Sequence, residues 1–299
     1  MSVESNTKPI SLQEVLESAQ LPALPQTAIA LLELSQDASN GPAEFAKPIE
    51  ADAGLMSQIL KFVNSSYFGF AKEISNVRQA LALVGVRTIK NFALWSAVFS
   101  LVPDPKFGPF DLKSLWQDSL RRAIFSRILG KRCKLPNSED LFAAALLQDM
   151  AIPLLLRELP EEYEGLIQRT KVENLRLSQL ENEIFGWDHA EAAACLVRNW
   201  RLPEEFALLI ERHPDLDSLL GSAPPRLDAA CVAVASLLPS CRDTVWEEQN
   251  QFMCGLARID AAANGELKQI LKDTDESFQE FAPVLKLAVP SRSLTDWIS

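Results

Sequence analysis

The chain has 299 residues, of which 47% are hydrophobic and 11 are glycine, and its formal net charge at pH 7 is −11. This length and apolar content can bury a sizeable core, which excludes disorder over most of the chain. The negative charge repels phosphate backbones, and no apolar stretch reaches the roughly 18 residues that a membrane helix needs. We therefore expect a protein that neither binds nucleic acid nor inserts into a membrane.

Helix signals recur through the first hundred residues. Residues 1–14 are predicted as an N-terminal segment, near whose end Ser11 and Glu14 have the spacing of a capping box. Two prolines in Leu21–Pro25 predict an extended linker. The helices predicted after it cover Thr27–Leu34, Pro42–Ile49, Asp52 as cap through Val63, Ser75 as cap through Leu83, and Val86 to about Leu101.

Prolines and a glycine crowd residues 103–109 and predict a boundary between two lobes, the first ending near residue 102 and the second beginning near residue 110. A long amphipathic helix is predicted over Leu112–Cys133. Ser138 and the two acids after it predict the start of a helix that reaches Leu147, and apolar residues resume over Ile152–Leu156.

The last third of the chain also has helical patterns. Asp188 and Glu191 have capping-box spacing, which places His189 in the first turn of a helix. Further helices are predicted over Pro203–Arg212 and, in a C-terminal extension of residues 216–299, over Leu227–Leu238 and Cys254–Ala263. No convincing strand pattern occurs, so the sequence predicts an all-α fold.

One cluster of basic residues stands out in this acidic chain. Such a cluster could contact nucleic acid, but a solvated helix face is the favoured interpretation. Its members are Arg121, Arg122, Arg127, Lys131, Arg132 and Lys134.

Cysteine usage and the N-terminus favour a cytoplasmic location. The five cysteines include no CxxC pair, and an odd number argues against a complete disulfide framework. The first twenty residues lack the basic start and apolar core of a signal peptide. Both features fit a reducing compartment.

Gln148 and Asp149 are polar residues inside the apolar run of residues 141–156. Buried polar groups are costly unless another group pairs with them, so a partner is expected. Asp149 could cap a helix beginning at Met150 or bond to neighbouring helices, which is the favoured interpretation, or it could be a metal ligand.

The chain has two histidines, His189 and His213, which rules out a histidine-rich metal site. Together with Asp149 they would give enough ligands for one open zinc site. Their separation in the sequence gives no sign of proximity, and a structural role for each histidine is favoured.

A series of motifs in a fixed order resembles the HDOD family of bacterial signalling domains. The motifs cover about Val15 to His213 and so predict an HDOD domain over residues 15–215. They are Leu21-Pro-Ala-Leu-Pro25, Asp52-Ala-Gly-Leu55, Val63-Asn-Ser-Ser-Tyr-Phe-Gly69, Gln79-Ala-Leu-Ala-Leu-Val-Gly85, Leu115-Trp-Gln-Asp-Ser119, Ala144-Ala-Leu-Leu-Gln-Asp149, Phe185-Gly-Trp-Asp-His-Ala-Glu191 and Trp200-Arg-Leu-Pro203.

The resemblance implies an HD-like helical bundle with an N-terminal helical lobe. HDOD domains are related to HD phosphohydrolases, which hold a divalent ion with a first His, an adjacent His-Asp pair and a later Asp. At the matching positions this chain has Asp118, Gln148-Asp149 and Ser236, so only Asp149 keeps its ligand type. His189 and His213 match positions where HD-GYP phosphodiesterases carry histidines, but the full ligand set of that group is missing.

The resemblance therefore implies a non-catalytic regulatory scaffold that docks a protein partner from two-component or cyclic-di-GMP signalling. We nominate no catalytic residue, cofactor or bound metal. Two alternatives remain open: a divergent metal-dependent phosphohydrolase that uses Asp118, Asp149, His189 and His213 around one ion, and a nucleotide sensor that binds phosphates in the same remnant pocket.

Overall fold

The protein is entirely helical in a computed structural model that describes residues 10–19, 23–35, 37, 39–65, 68–106, 108 and 110–298. No strand occurs in these residues, so the predicted all-α fold is confirmed. The first six helices are α1 Leu12–Ser18, α2 Gln26–Ser35, α3 Pro42–Ala51, α4 Ala53–Val63, α5 Val77–Val84 and α6 Val86–Leu101.

The caps of these helices correct two predictions. Asp52 caps α4 as predicted, because its carboxylate accepts the amide of Leu55 at 3.0 Å. The predicted Ser75 cap is wrong: the side chain of Asn76 accepts the amide of Gln79 at 2.8 Å and starts α5 one residue later. Ser11 precedes α1 without a side-chain cap bond, so the predicted capping box is also wrong.

A long central helix follows the proline-rich stretch of residues 103–109, of which Phe107 and Pro109 lie outside the described residues. This helix, α7 Leu112–Arg132, packs closely against α8 Ser138–Leu147. A Cβ atom on Gly130 would lie 2.6 Å from a methyl carbon of Leu141, so a larger residue at this position would require the Leu141 side chain to shift. The close contact holds the first turn of α8 against the last turns of α7.

The prediction of a solvated basic face is wrong for the arginines of the cluster, while Lys131 and Lys134 are exposed as predicted. Arg121 and Arg127 are 3% and 8% exposed. Arg127 pairs with Glu139 at 2.7 Å, and Arg132 pairs with Asp260 at 3.0 Å. Burial of these guanidinium groups requires acidic partners, and the packed helices supply them.

The remaining helices follow α8 in the chain. They are α9 Ile152–Glu158, α10 Pro160–Glu173, α11 Leu177–Phe185, α12 His189–Asn199, α13 Glu204–Glu211, α14 Leu216–Gly221, α15 Leu227–Ala235, α16 Gln249–Ile259 and α17 Ala263–Phe281, followed by a short 3-10 helix Thr295–Trp297. Of these helices, α15 and α17 pack against α7, and α13 and α15 pack against α8. The helices predicted near Leu227–Leu238 and Cys254–Ala263 correspond to α15 and α16.

The C-terminal helices contact both halves of the chain. The Phe281 ring lies 5.3 Å from Phe62 of α4 and 5.8 Å from Phe142 of α8. After α17 the chain returns to α7, where Arg121 donates to the carbonyl oxygen of Arg292 and Gln117 donates to that of Ala288 at 2.7 Å. The division into domains at residues 15, 102, 110 and 215 stays a prediction.

No helix of the described residues is by itself both long and apolar enough to cross a bilayer. Helices α5 and α6 reach that apolar length only together, and they meet at a bend of 116°.

Candidate functional site

A buried polar cluster lies where four helical segments meet. Helix α7 contributes Asp118 and Arg122, the turn between α8 and α9 contributes Gln148 and Asp149, and α12 begins at His189. His213 follows α13, so all five remnant positions, with Arg122, fall in one region. The Asp188 carboxylate accepts the amides of Ala190 and Glu191 at 3.0 Å, which confirms His189 in the first turn of α12.

Asp149, His189 and His213 converge. One carboxylate oxygen of Asp149, Oδ1, lies 3.4 Å from Nε2 of His189 and 3.5 Å from Nε2 of His213. All three residues are at most 5% exposed. Asp149 does not cap a helix at Met150, because α9 begins at Ile152, but it does bond to a neighbouring helix, since Arg122 of α7 donates to its carboxylate.

The second carboxylate oxygen of Asp149, Oδ2, accepts a hydrogen bond from the Arg122 guanidinium. The Gln148 amide also lies 3.4 Å from this oxygen. Burial alone would raise the pKa of Asp149, but the positive charge of Arg122 and the nearby His189 and His213 rings lower it well below its usual range. Asp149 is therefore a buried carboxylate whose charge Arg122 balances.

His189 is held between two carboxylates. Its Nδ1 lies 2.6 Å from Glu181 of α11, and the same carboxylate accepts the His189 backbone amide at 3.0 Å. Tyr163 donates to Glu181 at 2.7 Å, and both side chains are fully buried. Burial lowers the pKa of His189, but Glu181 and Asp149 outweigh burial and raise it to about 10.

His213 has a different environment. Its Nδ1 lies 2.7 Å from the carbonyl oxygen of Ile210, so Nδ1 carries the proton and Nε2 presents a lone pair to Asp149. Burial lowers the pKa of His213 to about 3, although Asp149 opposes this shift. His213 is therefore neutral.

Two other positions of the HD ligand set are tied to different partners. Asp118 accepts from the Ser240 hydroxyl and from the Cys241 amide at 2.7 Å, and burial raises the pKa of its carboxyl. Ser236 accepts a hydrogen bond from Arg176 at 2.8 Å. With an amide at Gln148 as well, these residues do not fit the metal set of the HD phosphohydrolases.

The cluster opens into a cavity of about 1090 Å³. Among the described residues that line it, carboxylates outnumber guanidinium groups by seven to two. The acidic ones are Asp118, Asp149, Asp188, Asp215, Asp243, Glu247 and Glu248, and the basic ones are Arg122 and Arg176. Arg176 pairs with Glu248 at 2.9 Å, so both guanidinium groups already bind carboxylates.

Sequence reasoning missed Glu181, although a signal for it exists. Leu177, Glu181 and Phe185 are spaced by four residues and share one face of α11. An acid on an otherwise apolar helix face indicates a buried partner. Arg122 had no such signal, because its neighbours on α7 are also basic.

The loop after α4 has a structural role in the described residues. The Asn64 side chain accepts the amide of Ile74 at 2.7 Å and donates to the carbonyl oxygens of Ile74 and Leu60. Ser66 and Tyr67 of the same motif lie outside the described residues.

Comparison with known proteins identifies a family. The HDOD domain model matches residues 21–216. An uncharacterized protein of Treponema pallidum (strain Nichols) is 24% identical over 264 residues, which is 86% of this chain and 49% of that protein. The chain spans about half or less of the length of the curated relatives that it matches.

Solved structures share the fold. A provisionally named phosphohydrolase of Shewanella amazonensis SB2B superposes with a TM-score of 0.69 and 21% identity, covering 91% of this chain and 97% of that one. A provisionally named signal transduction protein of Marinobacter aquaeolei VT8 superposes with a TM-score of 0.71 and 19% identity, covering 95% and 64%.

Proposed function

We propose, from the premise that this chain belongs to the HDOD domain family, that it is a regulatory module of bacterial signal transduction that docks a protein partner and hydrolyses no phosphate ester. The similar fold of a provisionally named signal transduction protein supports this assignment. The partner belongs to two-component or cyclic-di-GMP signalling, and the module acts in the cytoplasm.

The charge of the cavity is the observation that carries the proposal. Phosphate recognition needs cations or helix amides that are free to bind the anion. Arg122, Arg176 and His189, whose pKa is raised to about 10, are the cationic side chains among the described lining residues, and each is paired with a carboxylate. The excess of carboxylates repels an anionic substrate.

The phosphohydrolase alternative lacks its ligand set. Three of the four residues that it would use, Asp149, His189 and His213, lie together, but Asp118 is bound to Ser240 and Cys241. The nucleotide-sensing alternative needs guanidinium groups that are free to hold phosphates, but both guanidinium groups of the cavity are paired with carboxylates. A cavity lined by carboxylates repels both a phosphate-ester substrate and a nucleotide.

Apolar side chains at the cavity mouth are the proposed docking face. Leu175 and Val245 both line the cavity and are 38% and 58% exposed, and Val172, near Leu175 in the chain, is 85% exposed. Exposed apolar groups beside a polar cavity are typical of an interface for another protein.

Hydrolysis is tested with wild type and Asp149→Asn, each supplied with Mn²⁺ or Mg²⁺. The substrates are bis-p-nitrophenyl phosphate and a cyclic dinucleotide. We expect equal background rates for both proteins. Turnover in wild type that Asp149→Asn abolishes would overturn the non-catalytic assignment.

Docking is tested by affinity capture with the tagged full chain. Wild type is compared with Val245→Glu at the mouth and with Leu83→Glu, a matched control on α5 that is 54% exposed in the native protein. We expect wild type and the Leu83→Glu control to capture the same partner in equal amounts. The amount captured by Val245→Glu should be at least tenfold lower. Equal capture by all three proteins would show that the partner does not bind at the proposed docking face.

A further inference from the structure

We propose that Asp149, His189 and His213 bind one divalent transition-metal ion of the zinc type. Their ligand atoms all lie within 4.8 Å of one another, and no other such group of three occurs in the described part of the chain. This set shares only Asp149 with the ligand positions of the HD phosphohydrolases. The inference goes beyond the proposed function and does not depend on it.

The distances from Asp149 to the two histidines fit an ion shared by the three side chains. In a tetrahedral zinc site with bonds of about 2.1 Å, two ligand atoms lie about 3.4 Å apart. The two measured distances from Asp149 Oδ1 to the histidine Nε2 atoms are 3.4 and 3.5 Å. These distances are long for direct hydrogen bonds, and both rings approach the same oxygen.

Each ligand is oriented by a second group, as in protein metal sites. Nδ1 of His189 lies 2.6 Å from the buried Glu181, and Nδ1 of His213 lies 2.7 Å from the carbonyl oxygen of Ile210. Both rings therefore turn Nε2 toward Asp149. Arg122 holds Oδ2 of Asp149, which leaves Oδ1 for the ion.

A buried amide oxygen gives independent support. Gln148 is fully buried and lines the same cavity, and its Oε1 accepts no hydrogen bond from the described residues. An unpaired buried acceptor is unfavourable, because it has lost its hydrogen bonds to water. An ion, or water bound to that ion, would satisfy this oxygen.

The donor set and the cavity charge select the kind of ion. Two imidazoles and one carboxylate suit Zn²⁺, Fe²⁺ and related transition ions better than Mg²⁺ or Ca²⁺, which prefer oxygen ligands. The excess of carboxylates around the cavity attracts a cation to this place. The ion would link the α8–α9 turn to α12 and to the residue that follows α13.

The test uses full-length protein freed of metal by chelator dialysis and titrated with Zn²⁺ or Co²⁺. We expect one ion per chain in wild type, and no binding at this site in His213→Gln. Glu181→Gln keeps the ligands but loses the orienting charge, so affinity falls about 10- to 100-fold.

A thiol control separates this site from adventitious binding. The side chains of Cys133 and Cys231 contact each other. Binding that is unchanged in Cys133→Ser/Cys231→Ser, and a Co²⁺ spectrum without sulfur charge-transfer bands, support the proposal.

Three results would overturn it: no binding up to millimolar ion, binding that survives in a folded His213→Gln, or a sulfur-ligated Co²⁺ spectrum. The spectrum is recorded on wild type, so the test holds even if the variants fail to fold. Turnover is measured separately, so metal binding without hydrolysis leaves the proposed function intact.

Discussion

The helices before residue 102 and those after residue 110 bury side chains of different chemistry. In the described residues of the first group, Asn91 is the one polar side chain among the buried residues. The second group buries charges throughout, among them Arg121, Asp149, Glu181 and His189.

The first region needs only apolar packing to explain it. Phe62 of α4 stacks on Phe92 of α6 with ring centroids 4.1 Å apart, and the aromatic series continues through Trp95 and Phe99 to Trp116 of α7. Such packing stabilises a fold but binds no ligand by itself.

The second region carries an energetic cost that packing does not explain. Replacing buried ion pairs by apolar residues of similar volume is often neutral or stabilising. Arg122, Asp149, Glu181 and His189 form a buried charged cluster beside a cavity, which is the arrangement typical of functional sites. The contrast places the candidate site after residue 110 and assigns a supporting role to the first six helices.

Phe62→Ala should give the largest loss of stability. Phe62 is 2% exposed, and removal of its ring leaves a cavity that costs about 3–5 kcal/mol. The free energy of unfolding is measured by urea denaturation. Metal binding by the folded variant should stay unchanged. A loss of binding would show that the site also depends on the packing of the first region.

Arg122→Met should cost roughly 3 kcal/mol, because it leaves the buried Asp149 without its guanidinium partner. The matched control is Arg169→Met, which removes an exposed ion pair with Glu173 and should change stability little. Equal midpoints of urea denaturation for the two variants would show that Asp149 does not depend on Arg122.

Tyr163→Phe should cost about 1.5–3 kcal/mol, since it removes a hydrogen bond to the charged, fully buried Glu181. The same substitution should weaken zinc binding less than Glu181→Gln does, because the carboxylate remains. Thermal unfolding with and without zinc measures both effects. A larger loss of zinc affinity than in Glu181→Gln would contradict the assigned role of Glu181.

Asp118→Asn should give the smallest change in the free energy of unfolding, and this change depends on pH. Burial raises the pKa of Asp118 above its ordinary value of about 3.9. The stability that this group contributes is therefore fully present below about pH 3.9 and is lost as the pH rises through the folded pKa. The variant removes this titration, so its stability relative to wild type should increase from about pH 4 to pH 7. Urea denaturation at both pH values measures the change, and a relative decrease would contradict the assignment.

The sequence predicts most helices because apolar spacing and caps are local signals. Examples are the Asp52 cap of α4 and the proline-rich stretch of residues 103–109, which lies between α6 and α7. The Ser75 cap is wrong because serine and asparagine are both good caps, and one residue separates them. The solvated basic face is wrong for the arginines because their acidic partners come from other helices and turns, from Glu139 of α8 to Asp260, which lies 128 residues after Arg132.

The candidate site could be predicted only in part. Family resemblance singled out Asp149, His189 and His213, but their proximity depends on how α12 and α13 pack against α8. No periodicity encodes that packing. The role of Arg122 also depends on how the helices pack, because its partner Asp149 lies 27 residues further along the chain.

Anomalous diffraction from crystals grown with zinc would test the central claim most directly, because it locates the ion. We expect a single zinc peak bonded to Asp149 Oδ1 and to Nε2 of both histidines, with Arg122 still paired to Asp149. A structure without that peak, or with zinc bound at Cys133 and Cys231 instead, would contradict it.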